Sequence, residues 1–137
     1  MPEQRPLRLL VVDDNEPRLE LAAEVLGDAG IEVRTAASAD EARAALGEGD
    51  IDGVLLDINL AGTDGMTLVA ELRGRASTAR LPMVALTAHA MRGDRERFLA
   101  GGCTGYIAKP IQVARFAEQA LRELGLSHRG PGAPDVG

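Results

Sequence analysis

The chain has few aromatic residues and a single cysteine. Its 137 residues include no tryptophan, and the aromatic side chains are Phe98, Tyr106 and Phe116. Aliphatic residues must therefore supply nearly all of a hydrophobic core. Cys103 excludes an internal disulfide and is compatible with a reducing compartment. It follows a pair of glycines, and we interpret it as a small packing residue rather than a nucleophile.

Long apolar runs and an excess of positive charge are also missing. The stretch from Leu7 to Val12 is interrupted by Arg8 and is too short for a membrane span or a secretory signal. The 15 basic and 21 acidic residues give a net charge of -6, which works against binding to nucleic acid or anionic lipid. The sequence predicts a soluble, cytoplasmic protein that binds neither nucleic acid nor membrane.

The order of segments predicts an α/β fold in one domain, for which 137 residues suffice. Strand-like and helical segments alternate five times, as in a doubly wound, five-stranded parallel sheet with five helices. We expect an N-terminal extension at residues 1–6, the domain at residues 7–125 and a disordered tail, rich in Gly and Pro, at residues 126–137. That division leaves no sequence for an output domain.

Local signals mark several of the predicted elements. The first helix is expected to start near Asn15. The alternating pattern from Ile31 to Thr35 predicts a half-exposed edge strand. Ser38 with Glu41 is a capping-box pattern that opens the second helix.

Two later segments also predict helices. The segment Met91 to Ala100 has few apolar anchors, so we expect a loosely held helix there. The segment Gln112 to Leu124 predicts a final helix that packs Val113 and Phe116 inward.

Polar residues follow four separate apolar runs. Asp13 and Asp14 follow the first run, and Asp57, Thr87 and Lys109 follow or end three later ones. If each run is a strand of one parallel sheet, all of them lie at its carboxyl edge, where such sheets bind ligands. Carboxylates brought this close repel one another unless a cation joins them, which predicts a bound divalent metal.

This set of groups suits phosphoryl transfer to a carboxylate. A carboxylate nucleophile needs a cation to bring it to a phosphoryl donor and to neutralise the charge on the equatorial oxygens. Lys109 can pair with a phosphoryl oxygen, and the Thr87 hydroxyl can donate a hydrogen bond to another. Each residue alone is more simply a helix cap, a turn residue or a surface lysine. Their joint occurrence at four strand ends favours a site.

Over about residues 7 to 125 the chain resembles the receiver domains of bacterial two-component response regulators. It is most similar to stand-alone regulators of the DivK type and to receivers attached to hybrid histidine kinases. The resemblance implies a flavodoxin-like or CheY-like fold with strand order 2-1-3-4-5. It rests on these segments: Asp13-Asp14, Asp57-Ile58-Asn59-Leu60 with Gly65, Thr87-Ala88 to Asp94, Gly101-Gly102-Cys103, and Tyr106 with Lys109-Pro110.

The resemblance assigns an acceptor and a metal site. It implies that Asp57 accepts a phosphoryl group from a histidine kinase or a histidine phosphotransfer protein. It further implies that Asp14, Asp57 and the backbone carbonyl of Asn59 ligate Mg²⁺, for which Mn²⁺ can substitute. Asp13 would hold a metal-bound water.

The resemblance also implies a switch. Thr87 would move toward the phosphoryl group, Tyr106 would follow it inward, and Lys109 would contact the phosphoryl group. The Lys109-Pro110 peptide bond is expected to be cis. A two-state surface follows, because added charge at Asp57 favours one arrangement of these groups.

A downstream protein is expected to bind the face formed by Met91 to Ala100, Tyr106 and Gln112 to Leu124. The chain departs from the family at Ala61, where proline is usual. Asn59 and His89 occupy positions that influence phosphoryl lifetime, but we interpret His89 as a loop residue without a catalytic role.

Several functions compete at this stage. We expect a single-domain response regulator that catalyses only its own phosphorylation and dephosphorylation and turns over no external substrate. A receiver excised from a hybrid histidine kinase is the main alternative. A metal-dependent aspartyl phosphohydrolase is disfavoured because Asn59 stands where those enzymes usually carry a second acid.

Two further functions fit the sequence less well. A pseudo-receiver scaffold would have lost site residues, and none is lost here. Dinucleotide binding is disfavoured because Gly47-Glu48-Gly49 precedes a strand instead of following one.

Overall fold

Strands of the protein form one parallel sheet and one short antiparallel pair. The computed structural model describes residues 6–60, 63–88 and 91–126. In chain order the strands are β1 (Arg8–Val12), β2 (Glu32–Ala36), β3 (Gly53–Asp57), β4 (Asn59–Leu60), β5 (Thr63–Asp64), β6 (Met83–Thr87) and β7 (Gly105–Ala108). The large sheet has the order β2-β1-β3-β6-β7, and β4 pairs with β5 separately. The predicted 2-1-3-4-5 order of the long strands is confirmed.

In the described ranges, five helices cover both faces of the sheet. They are α1 (Glu16–Asp28), α2 (Ala39–Gly47), α3 (Gly65–Arg73), α4 (Asp94–Ala100) and α5 (Phe116–Leu124). Alternate residues of β1 point to opposite faces, so Leu9 packs in the cluster that contains Phe116 of α5, and Leu10 packs in the cluster that contains Leu68 of α3. Apart from Arg8, Asp57 and Thr87 at their ends, the central strands β1, β3 and β6 are apolar, because both of their faces are buried.

The structure confirms that helices begin near Asn15 and Ser38, as predicted. The Asn15 side chain accepts a hydrogen bond from the Arg18 amide at 2.9 Å. Ser38 Oγ accepts from the Glu41 amide at 3.1 Å, and the Glu41 carboxylate accepts from the Ala37 amide at 2.8 Å. The strand predicted from Ile31 is an edge strand, as expected, displaced by one residue.

The predicted start of the last helix at Gln112 is wrong. Residues 113–115 form a turn in which the Arg115 amide donates to the Gln112 carbonyl at 2.9 Å, and α5 begins at Phe116. Val113 is 55% exposed instead of packed. The apolar spacing placed Val113 on the buried face of a helix, but the turn carries Val113 away from the face on which Phe116 is buried.

The predicted start of the fourth helix at Met91 is also wrong. Gly93 has φ of 90°, a left-handed conformation that does not continue into a helix, and α4 begins at Asp94. The helix is anchored by Phe98, which is completely buried. The centroid of its ring lies 5.7 Å from the centroid of the Tyr106 ring.

Some expectations fall outside the described residues. They are the extension up to residue 5, the tail from residue 127, Ala61 and His89. Among the helices of the described ranges, none is long and apolar enough to cross a membrane.

Gly65 allows the backbone at Asp57 and Ile58 to lie close to the start of α3. Its amide donates to the Ile58 carbonyl at 2.8 Å. A Cβ at this position would lie 2.5 Å from Ile58 Cα and 2.8 Å from the Asp57 carbonyl oxygen. Both neighbours are backbone, so they cannot move without displacing the segment that follows Asp57.

We expect Gly65→Ala to lower the free energy of unfolding by about 1–3 kcal/mol, the usual range for an overpacked site. Gly27→Ala in α1 is the matched control, because a Cβ there meets nothing within 4 Å. It should raise stability by about 0.5–1 kcal/mol through helix propensity. Urea titrations of both variants provide the measurement, and equal effects of the two substitutions would contradict the close approach at Gly65.

Candidate functional site

The register of the sheet brings the polar strand ends to one edge. Val12 pairs with Leu56, so Asp13 follows β1 at the level of Asp57, the last residue of β3. The neighbouring strands pair Asp57 with Leu86 and Thr87 with Ala108. Lys109 follows directly after β7. All the strand-end residues named from the sequence therefore lie along the carboxyl edge of the sheet.

Three carboxylates meet at this edge. One oxygen each of Asp13, Asp14 and Asp57 lies within 4.8 Å of the others. Asp57 is completely buried, Asp13 is 2% exposed, and Asp14 is exposed. Carboxylate oxygens that reach solvent on one side suit a hard divalent cation, which prefers a few carboxylates together with water. The cluster could hold a metal ion, and the Asn59 carbonyl stays a predicted ligand.

Positive charge and an amide surround the Asp57 carboxylate. Lys109 Nζ lies 3.1 Å from Asp57 Oδ1, and the Asn59 amide donates to the same oxygen at 2.9 Å. Arg18 Nη2 donates to Oδ2 at 3.2 Å. A buried carboxylate without such partners would be strongly destabilising. These donors keep the acid in place at the end of β3.

Lys109 is held from both its backbone and its side chain. Its amide donates to the Thr87 carbonyl at 2.6 Å, and its peptide bond to Pro110 is cis. The side chain is 12% exposed. The ammonium group reaches Asp57 from the end of β7, two strands away from β3 in the sheet.

Arg18 is the site residue that sequence reasoning missed. Its Nε donates to Asp13 Oδ2 at 2.9 Å and its Nη2 to Asp13 Oδ1 at 3.1 Å. The hydrogen bonds to Asp13 are the main reason why the pKa of Arg18 is raised. The only sequence signal was its place in the first turn of α1, four residues after Asp14.

Thr87 connects the acidic site to a cleft beside α4. The residue is 2% exposed and lines a cavity of about 660 Å³ together with Asn59, Met91 and Phe98. The same cleft is lined by Asp94 and Arg97 of α4. Thr87 therefore lies between the acidic cluster and the helix that packs on Tyr106.

Tyr106 is half-buried and lies at a junction of three elements. Its ring packs against Phe98 of α4, and its amide donates to Glu123 Oε1 of α5 at 3.3 Å. The same oxygen lies 3.4 Å from Arg95 Nη1 of α4. The contacts of Glu123 were not predicted, because they depend on how α4 and α5 meet.

Cys103 is a buried free thiol. Its Sγ lies 3.7 Å from Met66 Sδ, and burial raises its pKa to about 11. Since the thiolate is the reactive form, both properties work against a role as nucleophile.

We expect Cys103 of the native protein to react with an aromatic disulfide reagent at pH 8 at least about a hundredfold more slowly than in denaturant. The same protein in guanidinium chloride serves as the control. Labelling should become faster as the pH rises toward 11. Rapid stoichiometric labelling of the folded chain at pH 8 would contradict the buried, unreactive assignment.

Comparison with known families identifies the class of this domain. A family model described as response regulator receiver domain matches residues 9–121. The chain therefore belongs to the response regulator receiver domains of two-component systems.

Particular relatives are similar over most of their length. The polar-differentiation response regulator DivK of Brucella ovis is 36% identical over 117 residues, which cover 85% of this chain and 95% of that protein. The receiver domain of NtrX from Brucella abortus is 35% identical, with a TM-score of 0.76 and coverage of 87% and 99%. The chemotaxis response regulator CheY4 of Vibrio cholerae is 27% identical, with a TM-score of 0.79 and coverage of 85% and 98%. The chain is a CheY-like, DivK-like receiver domain.

Proposed function

We propose that this chain is a single-domain response regulator that accepts a phosphoryl group on Asp57 from a histidine kinase or phosphotransfer protein. The observation that carries the proposal is the setting of Asp57. Its carboxylate is completely buried, lies beside two other acids and is paired with Lys109 at 3.1 Å. Similarity to the DivK proteins supports the same function.

Transfer requires one bond to form as another breaks. A carboxylate oxygen of Asp57 bonds to phosphorus while the phosphorus–nitrogen bond of phosphohistidine breaks, and that electron pair stays on the imidazole nitrogen. Lys109 pairs with an oxygen of the transferred group, and the Thr87 hydroxyl donates to another. Mg²⁺, held by Asp14, Asp57 and the Asn59 carbonyl, would neutralise charge on the phosphoryl oxygens.

The signal is proposed to leave through the face around α4, Tyr106 and α5. Met91 and Leu99 are exposed by 69% and 41%, and Val113 by 55%. These are three of the four large apolar side chains that are exposed among the described residues. Such side chains are common anchors for protein partners. Thr87 lies between Asp57 and this face.

The proposal includes no external substrate. The protein would catalyse only the gain and loss of its own phosphoryl group. Its location would be cytoplasmic, because donor and acceptor must share a compartment and the free thiol of Cys103 suits a reducing one.

With acetyl phosphate and Mg²⁺, the wild-type chain should gain the mass of one phosphoryl group, and it should gain none in EDTA. Asp57→Asn should abolish labelling, because an amide is not a nucleophile for this reaction. Asp28→Asn, at the far end of α1, is the matched control and should label as the wild type does. Intact-protein mass spectrometry gives the answer.

Undiminished labelling of Asp57→Asn would refute the proposal. Sustained turnover of a phosphate monoester that depends on Asp57 would favour the phosphohydrolase instead. If Asp57 is labelled as predicted, measuring phosphoryl transfer from each histidine kinase of the source organism would identify the donor.

Phosphorylation should change amide hydrogen exchange in α4 and β7, because Thr87 and Tyr106 link these elements to Asp57. Helix α2 provides an internal control, because it contributes no residue to the described lining of the cleft beside α4. Its amide exchange should stay constant. Hydrogen-exchange mass spectrometry on the labelled and unlabelled protein tests this. Changes confined to the residues next to Asp57 would contradict the proposed signalling face.

A further inference from the structure

Arg18 bridges the two buried acids of the site. Its guanidinium contacts both oxygens of Asp13, at 2.9 and 3.1 Å, and Oδ2 of Asp57 at 3.2 Å. It extends from the first turn of α1, whereas Lys109 contacts the other oxygen of Asp57. A positive side chain therefore lies between the carboxylates that the proposed function assigns to a metal.

We propose that Arg18 is a resident cation of this site, which a divalent metal must displace, so that Arg18 weakens metal binding and stabilises the metal-free protein. This inference rests on the proposed metal site. The inference assigns to Arg18 a role in setting the concentration of metal at which the acceptor site is filled.

The oxygens available at Asp57 make the two cations compete. Oδ1 already accepts from the Asn59 amide and pairs with Lys109 Nζ. Oδ2 is therefore the oxygen best placed to ligate a metal, and it is the oxygen that Arg18 contacts. A metal and a guanidinium at one oxygen would repel each other strongly in this poorly solvated position.

The charge at the two buried acids points the same way. Among the described residues, Arg18 and Lys109 are the positive side chains that contact Asp13 and Asp57, so these two carboxylates already have two cations beside them. A divalent cation that joined both side chains would leave an excess of positive charge at the buried oxygens. A divalent cation that takes the place of Arg18 leaves a smaller excess.

Arg18 is also the group that can leave. Its side chain is 46% exposed, whereas those of Asp13, Asp57 and Lys109 are exposed by 3%, 0% and 12%. A long side chain on a helix surface can turn into solvent with little disturbance of the core. The metal can therefore take the place of the guanidinium without a change in the sheet.

The test is a calorimetric titration of Mg²⁺ into wild type, Arg18→Met and Arg75→Met. Arg75 is the matched control: it is 49% exposed and bound to Glu71 at 2.6 Å, and Glu71 keeps a second partner in Arg43. Arg18→Met should bind Mg²⁺ about 5–150-fold more tightly than wild type, the usual range for coupling between two sites. Arg75→Met removes the same charge and should bind as wild type does.

Thermal unfolding supplies a second readout. In EDTA, Arg18→Met should melt below wild type, because the buried acids lose a partner. Adding Mg²⁺ should raise its melting temperature more than that of wild type. If Arg18→Met folds only when Mg²⁺ is present, the proposal is also supported, because the metal then replaces the stabilisation that Arg18 supplied.

The outcomes separate the role of Arg18 from the existence of the metal site. Equal or weaker Mg²⁺ binding by Arg18→Met, with Mg²⁺ bound by wild type, would overturn the role of Arg18 and leave the proposed function intact. Equal tightening in Arg75→Met would also overturn it, since net charge alone would then explain the effect. Absence of Mg²⁺ binding in both wild type and Arg18→Met would refute the metal site itself.

Discussion

Mutual repulsion among the acids at the sheet edge is the constraint on which the site depends. Asp13, Asp14 and Asp57 approach one another because the ends of β1 and β3 meet there, and the approach is tolerable only with cations nearby. Lys109 and Arg18 supply those cations within the protein. The same arrangement could hold a divalent cation, which would lower the repulsion further.

The location of the site could be predicted from the sequence because it follows from strand register. If the apolar runs are parallel strands of one sheet, Asp57, Thr87 and Lys109 must lie at the same edge, independently of the loop conformations. The capping pair Ser38 and Glu41 was equally predictable, since it depends on residues three apart. Local and periodic signals thus predicted the α/β class and the polar edge of the sheet, whereas the strand order and the acceptor role of Asp57 were implied by the resemblance to receiver domains.

Features that depend on how elements meet could not be predicted in this way. The direction of the Arg18 side chain depends on where α1 packs against the sheet. The turn before α5 exposes Val113, and no local pattern separates that turn from a helix. The bond from Tyr106 to Glu123 requires α4, β7 and α5 to be placed together.

The most direct test is a crystal structure of the protein with Mn²⁺, located by its anomalous scattering. We predict one ion in contact with Asp57, Asp14 and the Asn59 carbonyl, with the Arg18 guanidinium turned into solvent. An ion bound elsewhere, or no ion at this edge of the sheet at high Mn²⁺ concentration, would contradict the proposed site.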